Sequence, residues 1–364
     1  MGSDRWRFAL PYLLVATAMG VIVAASAVQA EQRTLTDQYD RDITFDAPVE
    51  RLATVPIPAA AMSVAVAGNS DALVAMHGLS KTAIVNGVLG EFFPESRDIP
   101  SDIVGDGFMP NIEELLSVNP QLVLQWGTRG DDIIAPIVNA GLPVVTLRYG
   151  TEEDAAQWLG MMGQILGRED RSDAILAWRS EALETMRTAT ASIPENERPR
   201  TLYFLRYLSS LRVAGTGTYN DFTIDLAGGF NVAADLNRFN DVSPEQILAW
   251  DPEVILLNGF EDNLSPEDVY ANPVFADVSA VRNRRVYQLP LGGYRWDPPN
   301  QESPLTWAWV ASLLHPERFD TDIRAEIEER YQLLYGQVPS DDQIDGILRL
   351  ARNGGSAHYD RFAR

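Results

Sequence analysis

From Arg51 onward, short aliphatic runs alternate with stretches of helical period; the alternation breaks once, in the middle of the chain, and then resumes. The apolar spacing predicts strands over 52–55, 73–76, 122–126 and 144–147, with helices over 59–67, 112–118 and 133–140 between them. After Pro199 it predicts strands at 201–205, 254–257 and 286–289 and helices at 223–227, 246–250 and 304–314, followed by a polar helical tail from Asp320. Strands separated by helices imply an α/β sheet in each half. Ahead of the first half, 35–45 alternates around Asp40-Arg41-Asp42 and reads as a hairpin.

The central break is itself helical. Period-3.6 positions run from Glu152 to Ser192, Gly167 interrupts them, and Pro194-Glu-Asn-Glu-Arg-Pro199 ends them. The second piece, 168–191, would be about 36 Å long at 1.5 Å per residue, enough to bridge two lobes. The expected organisation is therefore a leader at 1–30, an α/β lobe at 31–166, a backbone helix at 167–193 and a second α/β lobe with its tail at 194–364.

One unit is written twice. Asn111-Ile-Glu-Glu-Leu-Leu-Ser-Val-Asn-Pro-Gln-Leu-Val-Leu-Gln-Trp-Gly127 returns as Ser243-Pro-Glu-Gln-Ile-Leu-Ala-Trp-Asp-Pro-Glu-Val-Ile-Leu-Leu-Asn-Gly259. Each copy has a cap residue, an acid or amide three positions on, an apolar helix, a proline break and a strand closed by glycine. Glu113 and Glu245 fall at the same place in the two helix starts. An acid there complements the positive helix end, which alone accounts for its type; the recurrence adds a second reading, a matched pair meeting two basic pockets of one partner.

Composition narrows the function classes. The 364 residues carry a net charge of -22, which argues against nucleic acid, whose phosphates call for clustered Lys and Arg. Arg5 and Arg7 precede an apolar run that ends at Val28-Gln29-Ala30, the pattern of a cleaved secretory leader; the alternative is an uncleaved membrane anchor. With no cysteine in the chain, neither a disulfide nor a lipid-modified N-terminal Cys is available. A freely diffusing, soluble protein of a Gram-negative periplasm is the expectation.

In an open α/β sheet the ligand crevice lies beyond the C-terminal ends of the strands. In the first half those loops offer Pro58, His77, Trp126 with Arg129, and Arg148 with Tyr149; in the second they offer Arg206 with Tyr207, Asn258, and the turn Tyr294-Arg295-Trp296. Tyr219, after Gly215-Thr-Gly217, belongs to a further candidate loop. Arginine grips oxyanions and carboxylates in pairs of hydrogen bonds, and aromatic faces supply rigid contact area. Catalytic signals are sparse: the three histidines, His77, His315 and His358, lack metal-ligand spacing, and no nucleophile elbow or phosphate loop appears. No catalytic residue, metal site or cofactor is assigned.

At this point the chain resembles the periplasmic substrate-binding proteins that serve ABC importers of iron-siderophores, haem and cobalamin. The likeness rests on Arg51-Leu-Ala-Thr-Val55, the units at Asn111-Ile-Glu113 and Ser243-Pro-Glu245, the helix at Gly167-Arg-Glu-Asp-Arg171, Arg285-Val-Tyr287, Trp296-Asp-Pro-Pro299, Glu302-Ser-Pro-Leu305 and Leu313-Leu-His-Pro316. It implies two Rossmann-like lobes joined by a single long rigid helix, a monomer with its ligand clamped between the lobes, and no enzyme activity. It also implies that Glu113 and Glu245 form ion pairs with arginines of the transmembrane permease. For cargo it implies a metal chelate, siderophore-like and carrying iron, with molybdate or tungstate, haem or a corrinoid as alternatives. A competing reading is an exported chelatase or siderophore hydrolase, for which His77 is the only visible base.

Overall fold

The computed structural model describes residues 31–364, so the expected leader lies outside the described residues. Twelve strands form three sheets. β1 (Glu31–Thr36) and β2 (Asp42–Ala47) make an antiparallel hairpin. β3 (Leu52–Thr54), β4 (Leu73–Met76), β5 (Leu122–Trp126) and β6 (Val144–Leu147) form a parallel sheet in the order β4-β3-β5-β6. The third sheet is built from β7 (Arg200–Arg206), β8 (Arg212–Ala214), β9 (Phe230–Asn231), β10 (Phe239–Asp241), β11 (Val254–Leu257) and β12 (Val286–Gln288), in the order β10-β8-β7-β11-β12 with β9 pairing β7. Here β11 runs parallel to β7 and β12, while β8 and β10 are antiparallel additions.

The sequence repeat is a repeat of topology. β5 lies between β3 and β6 as β11 lies between β7 and β12, and each follows the helix of its copy, Ile112–Ser117 or Pro244–Trp250. Asn111 Oδ1 accepts from the Glu114 amide at 3.5 Å and Ser243 Oγ from the Gln246 amide at 3.3 Å, so both start signals act as caps. Strands buried on both faces explain the nearly continuous apolar runs. The described residues thus form two α/β lobes.

Between them, Glu152–Leu166 ends at Gly167, whose φ of 62° is the left-handed stop that glycine adopts without strain. The 22-residue helix Glu169–Thr190 follows, about 33 Å long. Two short helices, Gly78–Asn86 and Pro266–Tyr270, and the strands β8 to β10 extend the sequence expectation. The tail, Ile323–Tyr335 and Asp341–Ile347, reaches both halves: Arg171 donates to the carbonyls of Ala65, Val66, Leu333 and Leu334, and Asn353 Oδ1 accepts from the Gln288 amide of β12 at 2.8 Å.

A buried carboxylate helps to fasten the hairpin. Asp37, 5% exposed, accepts from the amides of Tyr39 (2.9 Å), Arg41 (3.1 Å) and Thr146 (3.0 Å) and from the Arg41 guanidinium at 2.7 Å. Burial works to raise its pKa, but the bonds from Arg41 and Thr146 outweigh it and hold the carboxyl below its ordinary value. A lowered folded-state pKa means stability that is present above the unfolded pKa and lost as pH falls through the folded one. Asp37→Asn should therefore cost most at neutral pH, and the gap from wild type should close below about pH 4, as measured by urea unfolding along a pH series.

Candidate ligand-binding cleft

In each parallel sheet the strand order reverses beside the first strand, between β3 and β5 and between β7 and β11, where chains leaving adjacent strands diverge and leave a crevice. Both crevices open into a single cavity of about 650 Å³. Ile57 and Pro58 follow β3, Trp126, Thr128 and Arg129 come at the end of β5, and Tyr149 follows β6. From the second sheet come Leu205 and Arg206 of β7, Phe239 of β10 with Arg238 before it, Phe260 after β11, and Asp297 and Pro298 after β12.

The walls are aromatic and the charges are arginine. Trp126 meets Phe108 and Tyr149 edge-on at 6.2 and 6.0 Å between ring centres, and its Nε1 is buried without a partner. Gly127 behind it is required by close approach, since a Cβ there would stand 2.1 Å from the Tyr39 ring. The Arg129 guanidinium lies 4.2 Å from the centre of Phe108, and that of Arg206 lies 5.3 Å from Phe260. Among the described residues neither of these, nor Arg238, forms an ion pair with a carboxylate.

The one acid on the cavity wall is deeply set. Asp297 is 3% exposed; its Oδ2 accepts from Tyr203 Oη at 3.0 Å and the Gly259 amide at 2.6 Å, and its Oδ1 has no partner. Burial pushes the Asp297 carboxyl up, against those bonds and the charges of Arg295 and Arg349. Across the cavity, burial and then the Asp297 charge push the Tyr149 phenol up, so it stays a neutral donor.

Five of the sequence candidates line this space: Pro58, Trp126, Arg129, Tyr149 and Arg206. The others are placed elsewhere, and their polar atoms show why. His77 stands behind Phe108, 5.1 Å between rings, with Nδ1 accepting from the Leu79 amide at 2.9 Å. Arg148 turns to the hairpin, over the Tyr39 ring at 5.1 Å. Tyr207 packs in the core behind β7 against Phe204 and Phe275. Tyr219 donates to Glu152 at 2.8 Å, and Trp296 Nε1 donates to the fully buried Glu302 at 2.7 Å. Tyr294 is fully buried with an unpartnered hydroxyl. Asn258 Oδ1 accepts from the amides of Phe260 and Glu261, both at 2.8 Å, and so sets the Phe260 ring rather than facing the cavity. Arg295, 2% exposed, donates from Nε to Gly259 O at 2.8 Å and from Nη1 to Leu79 O at 2.9 Å, tying the second half to the first beside the cavity.

One further expectation is adjusted by the geometry. Tyr219 begins the helix Tyr219–Leu226 with Thr218 as its cap, so the loop expected there is a helix start, and its Asn220 is the residue that reaches the cavity. His315 is the C-cap residue of the helix Ser303–Leu314, its amide donating to Ala311 O at 2.9 Å, and its ring Nε2 bonds Gly228 O at 2.9 Å as well. Residues 93–291 match the periplasmic binding protein family. The chain belongs to that family.

It is similar to the molybdate-binding protein MolA of Haemophilus influenzae, at 25% identity over 83% of this chain and 91% of the relative. It is also similar to the cobalamin-binding protein of Halobacterium salinarum, at 28% identity over 70% of this chain and 65% of that one. Among solved structures, a periplasmic solute binding protein from Veillonella parvula superposes with a TM-score of 0.81 at 29% identity, covering 89% of this chain and 99% of its own. These relatives are named as binding proteins. His77, the base of the competing reading, stands behind Phe108. Its Nδ1 is spent on a backbone amide, and burial lowers its pKa. The neighbouring Ser80 hydroxyl donates instead to Ile57 O at 2.6 Å.

Proposed function

We propose that the chain is the exported receptor of an ABC importer and captures a ferric chelate, siderophore-like in size and bearing anionic oxygens, between its two lobes. The observation that carries the reading is the cavity itself: about 650 Å³, walled by aromatic rings and rimmed by three guanidiniums without carboxylate partners. That volume suits a ligand of several hundred daltons. The rings give it flat contact area, and Arg129, Arg206 and Arg238 offer forked donors to catecholate, hydroxamate or carboxylate oxygens. Iron belongs here to the cargo. Residues 1–30 act as the cleaved leader, and the mature chain works as a periplasmic monomer, with Glu113 and Glu245 as its contacts to the permease.

A second reading is a bare oxyanion, favoured by the likeness to the molybdate binder over 83% of this chain. A tetrahedral oxyanion displaces only a few water volumes of about 30 Å³ each, and would leave most of an aromatic-walled cavity unfilled. Titration of the purified chain with ferric siderophores, haem, cobalamin and molybdate, followed by tryptophan fluorescence, separates the two. Chelates are expected to quench at Trp126, and Arg129→Ala, Arg206→Ala and Arg238→Ala should each weaken binding by about tenfold. Saturation by molybdate with no response to any chelate would establish the second reading instead.

A further inference from the structure

A second cavity, of about 790 Å³, opens where the Gly78–Asn86 helix ends, bounded by Val88 and Glu91, by Asp262 and Leu291, and by the tail from Ser340 to Arg352. No aromatic residue lines it. On its wall stands Arg349, 8% exposed, in the left-handed backbone conformation at φ 53° and ψ 43°. Four arginines of the described chain are buried to this degree. Arg179 is held by Glu152 and Asn300 O, Arg295 by Gly259 O and Leu79 O, and Arg324 by Asp341 and Asp345. The Arg349 guanidinium alone bonds to no described residue, and its Nε is fully enclosed without a partner.

A buried guanidinium is costly unless something pairs with it, and a residue held in a sparsely populated backbone region is fixed by its surroundings. Burial first, and then the neighbouring Arg352 charge, bring the Arg349 pKa down to about 10 against the opposing charges of Asp297 and Asp262, neither of which bonds to it, so it is still a cation at neutral pH. Arg352 Nη1 is engaged with the carbonyls of Asp262 (2.8 Å) and Leu264 (3.1 Å) and with Gln288 Oε1 (3.2 Å), which leaves its charge beside Arg349 without neutralising it.

We infer that this cavity is a second binding site, separate from the aromatic cleft, which takes one oxyanion group, a carboxylate or a phosphate, on the Arg349 guanidinium with Arg352 beside it. The planar fork of arginine matches such a group with two parallel hydrogen bonds. Glu91, Asp262 and Asp342 share the cavity and disfavour a large polyanion, so the ligand is a small anion or the single charged end of a larger molecule.

The test is thermal unfolding of the full mature chain at constant ionic strength, with chloride replaced by phosphate in one arm and by acetate in the other. About 10 mM of the preferred anion should raise the Tm of wild type by about 3 °C, and Arg349→Gln should abolish the rise. The two arms tell a phosphate from a carboxylate. Chelate quenching at Trp126 should be unchanged in Arg352→Gln, whose side chain is held outside the cleft lining by Asp262, Leu264 and Gln288, which keeps this outcome distinct from that of the proposed cargo. A wild type indifferent to both anions overturns the inference. So does a shift that persists in Arg349→Gln, or one that is lost in Arg129→Ala alone and therefore belongs to the aromatic cleft. Should Arg349→Gln not fold, NMR line widths decide the question: wild type should broaden the phosphate signal in phosphorus spectra, or the acetate methyl signal in proton spectra, and Arg352→Gln should at least halve that broadening. No broadening of either anion overturns the site.

Discussion

Glu152→Ala is expected to lower the free energy of unfolding by about 3–5 kcal/mol, the cost of leaving a buried guanidinium without its carboxylate. Arg179, in the middle of the inter-lobe helix, is 1% exposed and is bonded by Glu152 through both nitrogen arms, Nη2 at 2.6 Å. Its Nη1 donates to Asn300 O at 2.6 Å, and the Tyr219 hydroxyl lies 3.2 Å from Nη2. One guanidinium thus joins the start of the Glu152–Leu166 helix to two segments of the second lobe. Urea unfolding of Glu152→Ala measures the cost, and a loss below about 1 kcal/mol would mean that water reaches the site and screens the charge. The double variant Glu152→Leu with Arg179→Met should recover most of the loss, because an apolar pair of similar volume has no charge to desolvate.

The connection made by Arg179 was hidden in the sequence, and the reason is general to this fold. The strands at 73–76, 122–126, 144–147 and 254–257 were legible to the residue because sheets covered on both faces leave uninterrupted aliphatic runs. The helix–strand duplication was legible because caps and proline breaks are local signals. β8 to β10 were not: they span two or three residues each and depend on pairing with β7 or with one another, which no local pattern records. The cleft divided in the same way. Loop position found Trp126, Arg129, Tyr149 and Arg206, but it could not separate Tyr207 or Trp296, which point into the interior, from Phe260, which lines the cavity. Asp297 stood at the end of a turn already singled out by its aromatic and arginine content. Its acidity set it apart there, and a carboxylate among arginines was a signal that could have been used.

Charge reversal at both acids proposed to meet the permease, Glu113→Arg with Glu245→Arg, should reduce uptake of the cargo by cells at least a hundredfold and leave its affinity for the purified chain within about twofold. Both side chains are exposed on the first turns of matched helices, and among the described residues neither is in an ion pair. The Glu245 carboxyl is held below its ordinary pKa by its own backbone amide and by Ser243, so it stays ionised in mildly acidic surroundings. Three residues further along, each helix exposes a leucine, Leu116 at 49% and Leu248 at 40%, so that the duplication presents an acid and an apolar side chain at equivalent positions of both lobes. Rim charges of this kind govern encounter and orientation rather than the grip on a ligand held elsewhere, which is why transport and affinity should separate. Single reversals should give intermediate uptake if the lobes dock as two contacts of one complex, since losing one contact leaves the other to hold the permease. Undiminished uptake in the double variant would reject both acids as the permease contacts, while a parallel fall in affinity would place their effect on the cleft instead.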